Sequence, residues 1–76
     1  MIWFYTIRML KMKKSKMALK RFSVGLTQIE LARLVGVGGS TLAQYELGYR
    51  APSQEIMEKI AFALGVKIGT VKGWWI

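Results

Sequence analysis

The stretch TQIELARLVGVGGSTLAQYELGYRAPS, residues 27–53, decides the fold. In its first part apolar residues recur at the spacing of one helix face, and they are Ile29, Leu31, Ala32, Leu34 and Val35. Thr27 and Glu30 have the spacing of a capping box, in which two side chains satisfy free amides at a helix start. Gly36 suits the left-handed conformation that ends a helix. The pattern predicts a helix that begins after Thr27 and ends at Gly36.

The second part of the stretch predicts another helix at Ser40–Leu47, ending at Gly48. Two helices joined by a short turn with glycine form a helix-turn-helix, whose second helix has the width of the DNA major groove. We therefore place a helix-turn-helix motif at residues 28–47, with its second helix at about 39–47. The residues expected to hold the two helices together are Leu31, Ala32, Val35, Val37, Leu42 and Tyr45.

Further helices are predicted on both sides of the motif. One runs from the cap Ser53 to Leu64, with an apolar face of Ile56, Met57, Ile60, Ala61 and Leu64. A basic opening helix is expected at Met12–Phe22, with one face formed by Met12, Lys16, Leu19 and Phe22. A short last turn is expected at Gly69–Trp75. The sequence therefore predicts an all-α fold, a compact bundle of four to five short helices.

The two ends of the chain differ from its middle. Met1–Ile7 is rich in residues that favour extended structure, so a strand-like arm is expected there. A chain of 76 residues has room for one core. We divide it into a basic, aromatic N-terminal extension (1–16), one domain (17–72) and an apolar C-terminal tail (73–76).

The composition argues against catalysis. The chain has no cysteine and no histidine, which excludes disulfides, thiol nucleophiles, imidazole bases and zinc sites built on those residues. Its four carboxylates include no DxD or ExxH arrangement. We therefore expect no enzyme activity, no catalytic residue, no metal, no cofactor and no small-molecule substrate.

The charge points to an anionic partner. Twelve Lys and Arg residues against four Glu give a net charge of +8. Residues 1–21 hold seven of these cations and no acid, whereas residues 22–76 have a net charge of +1. Such a balance favours nucleic acid first and an anionic membrane surface second. The apolar run Met1–Leu10 lacks a signal-peptide arrangement and is too short to span a bilayer, so a cytoplasmic location is expected.

The sequence of the motif and of the residues around it resembles a known family. The segments GLTQIELARLVGV (25–37), STLAQYELGYRAPS (40–53) and AFALGV (61–66) are similar to those of Cro/CI-type (XRE family) helix-turn-helix proteins, which include phage repressors and prokaryotic regulators. The resemblance covers roughly residues 17–72. It implies a lambda-repressor-like DNA-binding domain and a sequence-specific transcriptional regulator that binds double-stranded DNA.

The resemblance also implies roles for individual residues. Ser40, Thr41 and Gln44 match positions that face base edges, and the Gln44 amide could bond adenine N6 and N7 together. Positions near the DNA phosphates are matched by Thr27, Gln28, Tyr49 and Arg50. Arg21 and Glu46 correspond to a pair that ties the first helix to the recognition helix.

One departure from the family pattern affects the recognition helix. Gly38 and Gly39 stand where family members usually have a polar cap followed by a polar or basic residue. The helix is therefore expected to start without a side-chain cap and to lack one base-reading side chain. Either the glycines let the backbone approach DNA closely, or sequence readout is weak.

Two other functions compete with DNA-binding regulation. A protein-interaction module, antitoxin-like, could keep the fold without reading bases, which Gly38 and Gly39 would permit. Association with a membrane surface could use the aromatic and basic residues 1–21, although we expect no membrane partner. Trp74 and Trp75 could cover the core or pair two subunits, and a homodimer on a two-fold operator is expected.

Overall fold

The computed structural model describes residues 15–75. Within that range the chain forms five helices and no strand, which confirms the predicted all-α bundle. The helices are α1 (Lys16–Ser23), α2 (Gln28–Val35), α3 (Gly39–Leu47), α4 (Gln54–Leu64) and α5 (Ile68–Gly73). The strand-like arm expected at Met1–Ile7 and the start of the predicted opening helix lie outside the described residues.

Local signals set the helix boundaries. The hydroxyl oxygens of Ser15, Thr27 and Ser53 accept hydrogen bonds from backbone amides in the first turns of α1, α2 and α4. At α2 the box is reciprocal, because the Thr27 amide donates to Glu30 Oε1 at 2.8 Å. Gly36 ends α2 with φ of 83°, in the left-handed region. The predicted caps of α2 and α4 are therefore confirmed.

The capping box predicts a small acid dependence of stability. The pKa of the Glu30 carboxyl is lowered, first by the hydrogen bond from the Thr27 amide and then by the Thr27 hydroxyl and Arg33. A carboxyl whose pKa is lowered in the folded state contributes stability at pH values above its ordinary pKa of 4.5. That contribution is lost as the pH falls through the folded-state pKa. Glu30→Gln keeps the box but does not titrate. On acidification, the free energy of unfolding measured in urea should fall more for the wild type than for Glu30→Gln. Equal decreases would show that the Glu30 carboxylate does not contribute to the acid dependence.

The core receives side chains from every described helix. Its buried apolar members are Met17, Ala18, Leu31, Ala32, Val35, Leu42, Tyr45, Ile60, Ala61, Leu64 and Val71. Ile56 and Met57 of α4 and Val37 of the α2–α3 turn are half-buried against this cluster. The residues predicted to hold the two motif helices together are therefore buried or half-buried in the core. The same is true of the predicted apolar face of α4.

The predicted apolar stripe of α2 is wrong at two positions. Ile29 and Leu34 are exposed by 61% and 60%. At about 100° per residue they lie roughly 100° to either side of the face formed by Leu31, Ala32 and Val35. A two-turn helix that packs on its neighbours through so narrow a face leaves its flanking apolar side chains in solvent.

The predicted face of α1 is also wrong. Leu19 and Phe22 are exposed, and the buried side chains are Met17, Ala18 and Arg21. Ser15 has extended backbone angles and caps the helix, so α1 begins at Lys16. The rotation of α1 follows from Arg21, because its guanidinium reaches a buried carboxylate on α3.

The tryptophans at the end of the described chain belong to the folded unit. Trp74 and Trp75 are half-buried against the core. The indole Nε1 of Trp75 donates to the Tyr45 carbonyl at 3.0 Å, and its ring meets the Tyr45 ring edge-on at 6.4 Å. Of the two roles considered for these residues, covering the core is the one observed within a single chain.

Candidate nucleic-acid interface

The turn between α2 and α3 is held by backbone hydrogen bonds. The amides of Gly36 and Val37 both donate to the Ala32 carbonyl, at 2.8 and 3.0 Å. Val37 packs against the core, and Gly38 starts α3 in extended conformation. The second helix of the motif therefore has a defined position against the first.

The buried Glu46 carboxylate of α3 joins three helices, α1, α2 and α3. Glu46 accepts two hydrogen bonds from Arg21, from Nε to Oε2 at 2.6 Å and from Nη2 to Oε1 at 3.2 Å. Gln28 Nε2 donates to the same Oε1 at 3.0 Å, and Arg21 Nη1 donates to the Leu26 carbonyl at 3.0 Å. Glu46 thus connects α1 and the first turn of α2 to α3. Among the described residues no buried side-chain polar atom is left without a partner.

The outward face of α3 carries the three residues expected to read bases. Ser40 and Gln44 are exposed and Thr41 is half-exposed. Their spacing of i, i+1 and i+4 places them on one side of the helix. The opposite side consists of the buried Leu42, Tyr45 and Glu46. The core therefore fixes α3 from behind and leaves a polar face of uncharged hydrogen-bonding groups in solvent.

The residues expected near phosphates flank this face in the sequence. Tyr49 is 79% exposed, its amide donates to the Gln44 carbonyl at 3.0 Å, and Arg50 beside it is exposed. Thr27 is exposed, with its hydroxyl oxygen already accepting the Glu30 amide bond. Gln28 is half-buried and spends one donor on Glu46, which leaves its carbonyl oxygen and second N–H.

Sequence reasoning did not find the hydrogen bond between Gln28 and Glu46. The two residues are 18 positions apart on different helices. A side-chain contact at that separation leaves no periodic signal in a single sequence. It matters for the interface because it constrains a residue at the first turn of α2, the place where the family resemblance expects a phosphate.

The glycines at the start of α3 are required neither by conformation nor by packing. Gly38 has φ of −71° and ψ of 155°, which any residue adopts, and its added Cβ would meet only Thr41 Oγ1 at 4.0 Å. An added Cβ on Gly39 would meet nothing within 4 Å. As expected, α3 starts without a side-chain cap hydrogen bond. The glycine pair therefore leaves an open gap in the surface at the start of α3.

This gap yields a matched pair of stability predictions. We expect Gly39→Ala to raise the free energy of unfolding by about 0.5–1 kcal/mol. Alanine has fewer backbone conformations than glycine in the unfolded chain, so less conformational entropy is lost when the helix forms. Gly36→Ala should lower it by about 1–2 kcal/mol, because position 36 is left-handed. Urea denaturation of the two variants measures both changes. A loss of stability in Gly39→Ala would show that the glycine is structurally required.

Across residues 15–75 no helix is both long and apolar enough to cross a bilayer. The same residues contain no cluster of acidic groups that could hold a metal ion. The exposed face of α3 and its flanking loops form the candidate site.

Comparison with known proteins agrees with this geometry. A family model described as helix-turn-helix matches residues 16–71. The chain is 32% identical over 62 residues to the cryptic phage CTXphi transcriptional repressor RstR of Vibrio cholerae serotype O1, a match that covers 82% of this chain and 55% of the repressor. The chain thus spans about half the length of that relative. No solved structure matches it significantly. The extent of the family match shows that the chain belongs to the helix-turn-helix family of the Cro/CI (XRE) type.

Proposed function

We propose that this protein is a sequence-specific transcriptional regulator that binds double-stranded DNA with α3 in the major groove. The observation that carries the proposal is the two-sided character of α3. Its Leu42, Tyr45 and Glu46 side is fixed in the protein, while the Ser40 and Gln44 side faces solvent. A rigid helix with uncharged hydrogen-bonding groups on one face is suited to reading base edges. The name of the repressor relative supports the regulatory role.

Ser40, Thr41 and Gln44 are the proposed base-reading residues. Gln44 has the side chain best suited to discriminate, because its amide offers a donor and an acceptor that match adenine in the major groove. Ser40 and Thr41 carry short hydroxyls that accept or donate and tolerate more than one base. We infer modest specificity from one copy of α3, since Gly38 and Gly39 contribute no side chain to it.

Phosphate contacts would set the register of α3 in the groove. Arg50 and Tyr49 follow α3 and are exposed, so they can reach a sugar–phosphate backbone at the end of the helix. Thr27 and Gln28 lie at the start of α2, where free helix amides favour an anion. Contacts at two points along the motif would hold α3 against rotation in the groove.

We further propose a homodimer on a two-fold operator, acting in the cytoplasm. A single short recognition helix with a two-residue gap offers few base contacts, and two copies related by a two-fold axis double them. The proposal is supported by the small size of the reading face. Analytical ultracentrifugation with and without the operator duplex would measure the stoichiometry.

A second candidate function is a protein-interaction module that keeps the fold without base readout. The gap at Gly38 and Gly39 favours it, because the position that usually carries a side chain toward DNA is empty. Under this alternative, duplex binding would depend on charge alone and not on sequence.

Selection of bound duplexes from a random pool separates the two candidates. DNA-binding regulation predicts enrichment of a defined sequence with two-fold symmetry. The interaction module predicts that the selected pool stays random although some duplex is retained. Absence of any duplex binding at about 50 mM salt, where electrostatic contacts are strong, would overturn the proposed function.

A further inference from the structure

The surface of α4 that faces away from the core carries an unexplained apolar groove. The groove has a volume of about 540 Å³ and is lined by Leu34 of α2 and by Glu55, Glu58, Lys59, Phe62 and Ala63 of α4. Phe62 is 91% exposed and Leu34 is 60% exposed. Neither side chain supports the core or belongs to the exposed face of α3. A large aromatic side chain left in water beside an exposed leucine forms an apolar surface that a partner can cover.

The rim of the groove is acidic. The chain has four carboxylates, of which Glu46 is buried with Arg21 and Glu30 completes the capping box. The two that remain, Glu55 and Glu58, both line the groove. Glu55 has one long contact with Lys59, at 3.8 Å between exposed side chains, and Glu58 has no ion pair within residues 15–75. Lys59 also lines the groove, so the two carboxylates leave it a net charge of −1. The groove therefore offers an apolar floor and a small negative charge to a basic, apolar partner.

The chain itself contains a segment of that chemistry. Residues 1–14 include aromatic and aliphatic side chains, four cations and no acid, and the relevant residues are Ile2, Trp3, Phe4, Tyr5, Ile7, Arg8, Lys11, Lys13 and Lys14. Fourteen residues span up to about 46 Å when extended. A domain of about 60 residues has a radius of gyration of about 10 Å. The segment is therefore long enough to reach any face of the domain from Ser15.

We propose that residues 1–14 dock in the α4 groove of the same chain, with Trp3 and its aromatic neighbours on Leu34 and Phe62 and with basic residues facing Glu55 and Glu58. DNA is a poor occupant, because the carboxylates repel phosphates. A second copy of the groove is also less complementary, because it would bring the same two carboxylates to the interface. The proposal is independent of the proposed function, and its test contains no DNA.

Methyl NMR of the full chain tests the docking. Aromatic rings placed on Leu34 shift its methyl resonances, and replacing Trp3, Phe4 and Tyr5 together with alanine should remove that shift. Leu42, which is buried in the core and does not line the groove, is the control and should not change. The double variant Glu55→Lys/Glu58→Lys should move the Leu34 methyls in the same direction, because it reverses the charge that attracts the segment.

Two outcomes would overturn the proposal. Leu34 methyl resonances that stay unchanged in the triple alanine variant would show that the segment does not contact the groove. Resonances that move on dilution of the wild-type protein and are indifferent to the triple substitution would identify a second copy as the occupant. Because Glu55 and Glu58 are exposed, their replacement leaves the fold available for measurement, and an unchanged Leu42 signal verifies the fold in each variant.

Discussion

Replacing Glu46 with alanine is expected to lower the free energy of unfolding by about 3–5 kcal/mol, because it leaves the Arg21 guanidinium buried without its anionic partner. Gln28 loses a hydrogen-bond acceptor in the same substitution. The single core of so small a domain rarely supplies more than about 3–5 kcal/mol, so the variant should be close to unfolding at room temperature. Chemical denaturation followed by the tryptophan signal measures the change.

Two controls separate the buried charge from a general effect of losing a carboxylate. Glu58→Ala removes an exposed carboxylate from α4 and should change stability by less than about 0.5 kcal/mol. The double variant Arg21→Met/Glu46→Leu removes both charges and should regain most of the loss, since apolar side chains of similar size replace buried ion pairs well. A loss in Glu46→Ala no larger than that in Glu58→Ala would contradict the role of the pair.

Replacing Gln44 with alanine is expected to reduce discrimination between the selected duplex and one altered at the contacted base by about 1–3 kcal/mol per recognition helix. The cause is the loss of a donor and an acceptor that match one base pair. Stability should stay nearly constant, because Gln44 is exposed and no side-chain contact of it supports the fold among the described residues. Fluorescence anisotropy with both duplexes gives the difference.

Arg50→Ala is the matched control for this experiment. A phosphate contact carries no sequence information, so its loss should weaken both duplexes equally and reduce the slope of log affinity against log salt by about 0.9. A Gln44→Ala variant that weakens both duplexes equally would show that Gln44 does not read a base. The two variants therefore distinguish base reading from backbone binding on neighbouring parts of the motif.

The features of the fold that were predictable are those with local causes. The capping box of Thr27 and Glu30 involves residues three apart, and the glycine that ends α2 involves one backbone position. Such signals lie within a few residues of each other, so one sequence contains all of their information. The boundaries of α2 and α4 followed from them, and α3 (Gly39–Leu47) has the bounds predicted for the second helix of the motif, about 39–47.

The orientation of short helices was less predictable. Apolar residues at Ile29 and Leu34 satisfy helical spacing, yet the neighbours of α2 cover only the face between them. For α1 the deciding contact is an ion pair between residues 25 positions apart, which spacing alone does not reveal. The Arg21–Glu46 pair was expected only because the family resemblance implied it. The roles of Ser40, Thr41 and Gln44 toward DNA stay predictions.

Gly38 and Gly39 leave the proposed target of this protein open to change. An added Cβ meets no atom closer than 4.0 Å at either position, and both residues are exposed at the start of α3, so a side chain can be introduced without rearranging the core. Under the proposed function, a single mutation could then redirect the protein to another operator while the scaffold stays intact. Changes of target would then leave the fold itself unaffected, and a library at these two positions is a direct route to regulators that each bind a different operator.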